Sequence, residues 1–441
     1  MSTKVLSIVP TGSLAGGGEK SFYELMKFMQ SKGLKNYVIV PRDSQQDFLK
    51  TLKDSEIEYV IGTYATFGLH HDHSLSEVNE ALNIATVIRN IKPDVMMTNL
   101  YIEPSQWAAA LCDVPHIYFD RGQLGLLDNQ NKLSDIPPTF IKYSNAIACN
   151  SKNSQNILKK YNTDSSLIYS YVNKPIVTLR KYKKPRLILP ANFFREKNHL
   201  DILAAVSRIK SKKPELSIEI IFMGATITNE NNEYLNQIKS AIKSHQLENQ
   251  VYIIDHQSDP WEFFSENDIY INSGEGEAVG RATIEAEMLG ITALIADIPG
   301  HWEHKEILGN NNLFKLHDVD DLSNKIEYLI DPANQSKIKK HNKRIQKNTL
   351  EWMNPENTMG SITSLIEEVK NQHNPARTLV YQDILYILNQ FKDNYYLVSS
   401  SESLANERKN EKLIEIERLR EPTVKLAFRK LCGAIKRSLI K

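Results

Sequence analysis

Two glutamates, Glu277 and Glu285, stand in the stretch Ser273-Gly-Glu-Gly-Glu277-Ala-Val-Gly280-Arg-Ala-Thr-Ile-Glu285-Ala-Glu-Met-Leu-Gly290. The stretch follows an apolar run that reads as a strand, so Gly280 is expected to open a helix and Gly290 to end it. Glu277 then lies in the loop and Glu285 within the helix, roughly 7–8 Å further along its axis at about 1.5 Å per residue. Carboxylates so separated suit hydroxyls at the two ends of one ligand rather than a shared proton. Between them, the N–H groups near Gly280 form an expected phosphate seat. A second glycine group, Gly16-Gly17-Gly18-Glu19, lies between the first strand and the first helix, where backbone can approach a phosphate closely. It lacks the G-x-G-x-x-G spacing of a dinucleotide loop. A third group, Arg195-Glu-Lys197-Asn198, supplies cations able to neutralise a departing diphosphate without a metal.

Short apolar runs alternating with helical patterns position these groups. Strands are expected at Val5–Val9, Tyr37–Val40, Glu58–Ile61, Val95–Thr98, His116–Phe119 and Ala146–Cys149. After a linker at 171–185, ending in the basic Lys181-Tyr-Lys-Lys-Pro185, the alternation restarts. Strands are expected there at Leu187–Pro190, Ile218–Phe222, Val251–Ile254, Ile269–Asn272 and Ala293–Ala296. This is an α/β pattern of two Rossmann-like doubly wound domains, 1–170 and 186–350, facing each other across a cleft, with a final core helix at 351–370 crossing back. From 371 to 441 a helical, basic C-terminal extension is expected, with helices at Leu379–Leu397 and Leu404–Leu419.

Composition excludes several classes. The 441 residues are 41% hydrophobic and 24% charged, with net charge +1, which fits a soluble globular chain and not one that coats nucleic acid. Cys112, Cys149 and Cys432 are widely spaced, giving neither a disulfide framework nor a thiolate zinc site. No secretory leader or apolar spanning stretch is evident, so a cytoplasmic protein is expected.

Glu277, seven intervening residues and Glu285, within Glu-x-x-Gly-Arg-Ala-Thr-Ile-Glu-Ala, resemble the E-x7-E signature of retaining glycosyltransferase family 4. The resemblance runs from the Gly-Gly-x-Glu start to about residue 370, and includes Asp297-Ile-Pro-Gly-His-Trp-Glu303 and the Trp352 region. It implies a GT-B fold and transfer of a sugar from a UDP- or GDP-sugar to a hydroxyl acceptor. It implies no metal or cofactor, and a front-face path in which the leaving phosphate assists the incoming hydroxyl. Glu285 would bind the ribose, Glu277 the transferred sugar, and Gly280, Gly16 and Gly17 would face the diphosphate. Lys197 matches the family's lysine; Arg195 stands away from the usual arginine spacing. Family members often carry a histidine where Asp120-Arg121-Gly122 stands here, which leaves Arg121 as the acceptor-side candidate.

Other groups have simpler readings. His70-His71-Asp72-His73 alternates direction in a loop, and Asp318-Val319-Asp320 reads as a helix cap rather than a metal-binding DxD. His301 and His304, which bracket Glu303, are placed for cleft hydroxyl contacts rather than metal ligation. A sugar-nucleotide epimerase on the same fold and a non-catalytic partner subunit are the alternatives. After Pro422, Lys425, Arg429, Lys430, Lys436, Arg437 and Lys441 accompany an apolar stripe of Val424, Phe428, Leu431, Ile435 and Leu439. An anionic membrane surface is the expected partner of that segment, which suits a glycan or lipid-linked acceptor.

Overall fold

The computed structural model describes residues 2–14, 16–66, 75–99, 103–122, 139–182, 184–216, 218–226, 228–257, 259–374 and 376–402. His70–His73, the Leu404–Leu419 helix and the segment after Pro422 lie outside the described residues. Seven parallel strands form the first sheet: β1 (Lys4–Ile8), β2 (Lys35–Val40), β3 (Glu58–Ile61), β4 (Val95–Asn99), β5 (His116–Asp120), β6 (Ala146–Cys149) and β7 (Ser166–Leu167). Their order is β3-β2-β1-β4-β5-β6-β7. Six more form the second: β8 (Arg186–Pro190), β9 (Glu219–Gly224), β10 (Val251–Asp255), β11 (Ile269–Asn272), β12 (Thr292–Ala296) and β13 (Leu313–Phe314), ordered β10-β9-β8-β11-β12-β13. The architecture is the expected pair of doubly wound α/β domains. β7 and β13 escaped the sequence reading because two residues are too few to make an apolar run.

The central strands read as continuous apolar runs because helices cover both faces of each sheet. All five residues of β4, β5 and β12 are buried. At the edge, β3 leaves Ile61 53% exposed. The helix Gly17–Ser31 turns Phe22, Leu25, Met26 and Met29 onto the first sheet, as the i, i+3, i+4, i+7 spacing requires. In the second half the helix His199–Lys212 buries Ile202, Val206 and Ile209 in the same way. Each side chain so buried contributes about 1.5–3 kcal/mol relative to exposure.

Where the two domains meet, Val172, Val279, Ile284, Met288, Leu308, Trp352 and Met353 form one cluster. Trp352 packs edge-on against Tyr169, ring centroids 5.0 Å apart. The chain then returns to the first domain, where the helix Ser361–Val369 buries Ile362, Leu365, Ile366 and Val369 in the same core as Val5 and Phe22. The helix expected at Leu379–Leu397 runs from Arg377 to Glu402 and packs Val380, Ile384 and Ile387 against Trp107 and Tyr143. No described helix is long and apolar enough to cross a membrane.

Candidate functional site

In each sheet the strand order reverses beside the first strand of its domain, between β1 and β4 and between β8 and β11. Loops leaving the carboxyl ends of strands diverge at such points and open a crevice. In the second domain the loops after β8 and β11 are joined there. Asn198, left-handed at φ +52°, donates from Nδ2 to the Ser273 carbonyl (2.9 Å) and to Glu275 Oε1 (3.0 Å). Ser273 Oγ donates to the Lys197 carbonyl (2.6 Å), and the Glu275 N–H to the Glu196 carbonyl (3.0 Å). These bonds bring Lys197 Nζ to 2.5 Å from Glu277 Oε1. The Glu277 charge raises the Lys197 pKa, and the Lys197 ammonium, outweighing burial, lowers that of Glu277. The pair is therefore ionised across the neutral range.

Beyond Glu277 the backbone turns at Gly280, whose φ of +80° is a conformation that a side chain would strain. Gly280 starts the helix Arg281–Leu289 without a side-chain cap. Glu285, one turn in, is held by both oxygens: Oε1 accepts from Arg281 Nε (2.9 Å) and Oε2 from the Trp261 indole N–H (2.9 Å). Arg281 and Trp261 did not stand out in the sequence. The only local signal for Trp261 is the Asp259-Pro260 start of its turn, where Asp259 accepts the Trp261 backbone N–H (3.1 Å).

Two buried histidines support this loop from below in opposite protonation states. His301 Nδ1 meets the Ala296 carbonyl (2.7 Å), which only accepts, so Nε2 is left to accept from Asn272 Nδ2 (3.3 Å). Burial, helped by His304, pushes its pKa down to about 4, and the ring is neutral. His304 faces acceptors on both sides, Glu287 Oε2 at Nδ1 (2.8 Å) and the Val279 carbonyl at Nε2 (2.5 Å). Burial opposes its charge, but the Glu287 carboxylate, both acceptor bonds and the nearby Glu303 raise its pKa. It is an imidazolium holding the carbonyl next to Gly280. Gly300 lies against the same loop: a methyl group there would overlap the Glu277 carbonyl oxygen.

The first domain approaches from the other side. Gly16 and Gly17 begin the helix Gly17–Ser31, but Glu19 folds back over Gly16, so a methyl group on Gly16 would overlap its carboxylate. Glu19 Oε1 also accepts from Thr11 Oγ1 (3.1 Å). Gly17 lies beside the second domain, where an added methyl group would sit 3.5 Å from Arg281 Cδ. The Arg121 guanidinium stacks 4.4 Å from the Phe119 ring centroid and donates to Ser170 Oγ (3.0 Å). Burial lowers its pKa to about 9. Further round the junction, Glu303 accepts the Lys152 N–H (2.7 Å) at the start of the helix Lys152–Lys160.

The structure thus gathers Lys197, Glu277, Gly280 and Glu285 at one end of the second sheet and brings Gly17 up to them. Arg195 turns away onto the helix Asn229–Ser244, donating to Gln237 Oε1 (2.9 Å) with Glu230 nearby. Asp318 caps its helix by accepting the Asp321 N–H (3.0 Å), and Asp320 pairs with Arg208.

Residues 173–352 match the family model of glycosyl transferases group 1. No curated protein matches the chain. Among solved structures, a glycosyltransferase from Rickettsia africae ESF-5 is 18% identical with a TM-score of 0.68, covering 84% of this chain and 99% of that one. Anabaena HepE in complex with UDP-glucose is 15% identical with a TM-score of 0.60, covering 83% and 98%. A variant of S. aureus TarM in complex with fondaparinux, alpha-GlcNAc-glycerol and UDP is 11% identical with a TM-score of 0.58, covering 84% and 100%. At these identities the likeness is one of fold, the two-domain GT-B architecture. The match over residues 173–352 and this architecture together support a glycosyltransferase with a group 1 domain in its second half.

Proposed function

We propose that the protein is a retaining glycosyltransferase that takes a hexose from a UDP- or GDP-sugar and places it on a hydroxyl of a glycan or lipid-linked acceptor. The observation that carries this reading is the ionised Lys197–Glu277 pair beside the uncapped helix start at Gly280, with Glu285 one turn further on. Glu285 would take the ribose hydroxyls, since Trp261 and Arg281 fix its carboxylate before any ligand arrives. The helix start and Lys197 would receive the diphosphate and stabilise the charge that grows as the sugar–phosphate bond breaks. Glu277 would accept from the sugar hydroxyls. On the front face, the acceptor oxygen bonds to the anomeric carbon as the diphosphate leaves. The hydroxyl proton passes to the departing phosphate oxygen, giving a glycoside of unchanged anomeric configuration and a nucleoside diphosphate. With Lys197 and backbone donors at the diphosphate, turnover is expected to persist in EDTA.

HepE with UDP-glucose and TarM with UDP illustrate the donor class for this fold. Bacterial surface polysaccharide or glycoconjugate synthesis is the setting we propose. The basic, apolar-striped segment after Pro422 would then hold the acceptor cleft near an anionic bilayer. Flotation with anionic vesicles tests that part: truncation at Glu421 should abolish it, and equal flotation of both forms refutes it. The enzymatic reading is tested by incubating the protein with a panel of nucleotide sugars and hydroxyl acceptors in EDTA. Acceptor-dependent release of nucleoside diphosphate, with product configuration matching the donor by NMR, is expected. Interconversion of the donor sugar without acceptor would identify an epimerase instead, and an inverted product would exclude retention.

A further inference from the structure

We propose that Arg281 is the principal diphosphate-recognising side chain of the site, a clamp that ties phosphate binding to the ribose-side carboxylate Glu285. The inference rests on the nucleotide-sugar reading above and assigns a role to a residue outside the E-x7-E pair.

Arg281 is the first residue of its helix, behind a glycine that offers no side-chain cap. A cation there faces the positive end of the helix dipole, an arrangement that costs energy until an anion arrives. Glu285 offsets part of that cost, accepting from Nε at 2.9 Å. An exposed pair at this spacing would be an ordinary helix-surface contact worth little. This one differs in two respects. Only 22% of the Arg281 side chain and 17% of that of Glu285 are exposed. In addition, Nη1 is buried with no hydrogen-bond partner. Two N–H donors therefore remain unused on a guanidinium whose direction is already fixed through Nε.

Geometry names the ligand class. The stem of Arg281 lies beside the other glycine-bearing helix start: a methyl group on Gly17 would sit 3.5 Å from its Cδ, while its guanidinium reaches Glu285 through Nε. Lys197 and Arg281 are each paired with a glutamate, but Arg281 keeps a nitrogen, Nη1, without a partner. A guanidinium fork matches two oxygens of a phosphate group, which an ammonium does not. The complementary ligand is the diphosphate of a nucleoside diphosphate, with its ribose on Glu285. One side chain would then report the presence of phosphate to the carboxylate that holds the ribose.

The test compares UDP with uridine, and GDP with guanosine, by calorimetry on the full chain, wild type and Arg281→Gln. Glu285→Gln serves as the reference for a ribose contact. Wild type should prefer one nucleoside diphosphate strongly over its nucleoside. Arg281→Gln should weaken that diphosphate roughly 10- to 100-fold while leaving the nucleoside within about twofold. Glu285→Gln should weaken both members of the pair. Arg281→Lys, with its charge kept and its fork lost, should fall between wild type and Arg281→Gln. An unchanged diphosphate-to-nucleoside ratio in Arg281→Gln, or equal loss for both, overturns the clamp. Wild type that prefers neither diphosphate overturns the nucleotide-sugar reading itself. Matching circular dichroism and melting temperature separate either result from misfolding.

Discussion

The helices Gly17–Ser31 and Arg281–Leu289 begin in the same way but differ in where their first carboxylate stands. Each follows a strand at its sheet's switch point, each has a glycine at its N-cap, and neither has a side-chain cap from that residue. In the first, the third helical residue is Glu19, whose carboxylate folds back over Gly16 and meets the helix's need for an anion internally. In the second, the first residue is Arg281 and the third is Thr283, so no carboxylate of the first turn answers the helix start, and Arg281 finds its carboxylate, Glu285, only in the next turn. On the proposed reading, a phosphate would find the first start occupied by Glu19 and the second open. One glycine-rich helix start is thus not equivalent to another: the side chains of the first turn decide whether it is a finished cap or an anion seat.

The surroundings reinforce the contrast. Around the second start are Lys197–Glu277, Arg281–Glu285 and the buried His304–Glu287 pair. The first start has Arg121, half-buried and stacked on Phe119.

The largest effect is expected at the second start. Lys197→Ala should lower turnover by about 10²–10³, the scale for losing one preorganised charge-stabilising group, while donor affinity changes less. A loss below about fivefold would remove Lys197 from the site. Gly300→Ala should follow at about 10²-fold, because the added methyl group displaces the Glu277 backbone, and displacements near 1 Å cost on that order. Near-normal steady-state rates in this variant would show that the position of Glu277 is not critical.

Next comes the buried pair. The folded-state pKa of His304 is raised above its ordinary value of about 6.5. Its contribution to stability is therefore fully present below that value and is lost as pH rises through the folded-state pKa. Removing one partner should cost about 3–5 kcal/mol. Urea titrations at pH 6 and pH 9 should show a smaller alkaline loss in His304→Gln than in wild type. Parallel losses would mean that His304 is not charged in the fold.

The smallest effect sharpens the comparison most. Glu19→Ala should cost about 0.5–2 kcal/mol of stability, the range for a lost helix cap, yet change UDP or GDP affinity by less than about threefold. A tenfold gain in affinity would show that the first start competes for the diphosphate once its own carboxylate is gone.

Much of this contrast was legible in the sequence, though unevenly. The strand runs marked every strand but the short β7 and β13 to within one or two residues, because both-face burial makes central strands almost wholly apolar. Glu277, Gly280, Glu285 and Lys197 announced themselves by charge and spacing beside glycines. What escaped was long-range. Nothing next to Gly300 in the chain says that it will press on Glu277. The charge of His304 depends on Glu287 and Val279, 17 and 25 residues earlier, and His301, of the same type and three positions away, is neutral. Arg195 stands only two residues from Lys197 in one cationic group, yet a three-residue turn sends the two side chains in different directions. Glu19 could be seen, but that its carboxylate closes over Gly16 is a matter of rotamer and not of spacing.

The most direct measurement is a crystal structure of the chain with UDP or GDP bound. The account predicts the diphosphate on the backbone N–H groups that begin the Arg281–Leu289 helix, within hydrogen-bond reach of Lys197 and Arg281, with Glu19 still folded over Gly16. A diphosphate seated on the Gly17–Ser31 start with Glu19 displaced, and no phosphate contact at the Gly280 end, would contradict it.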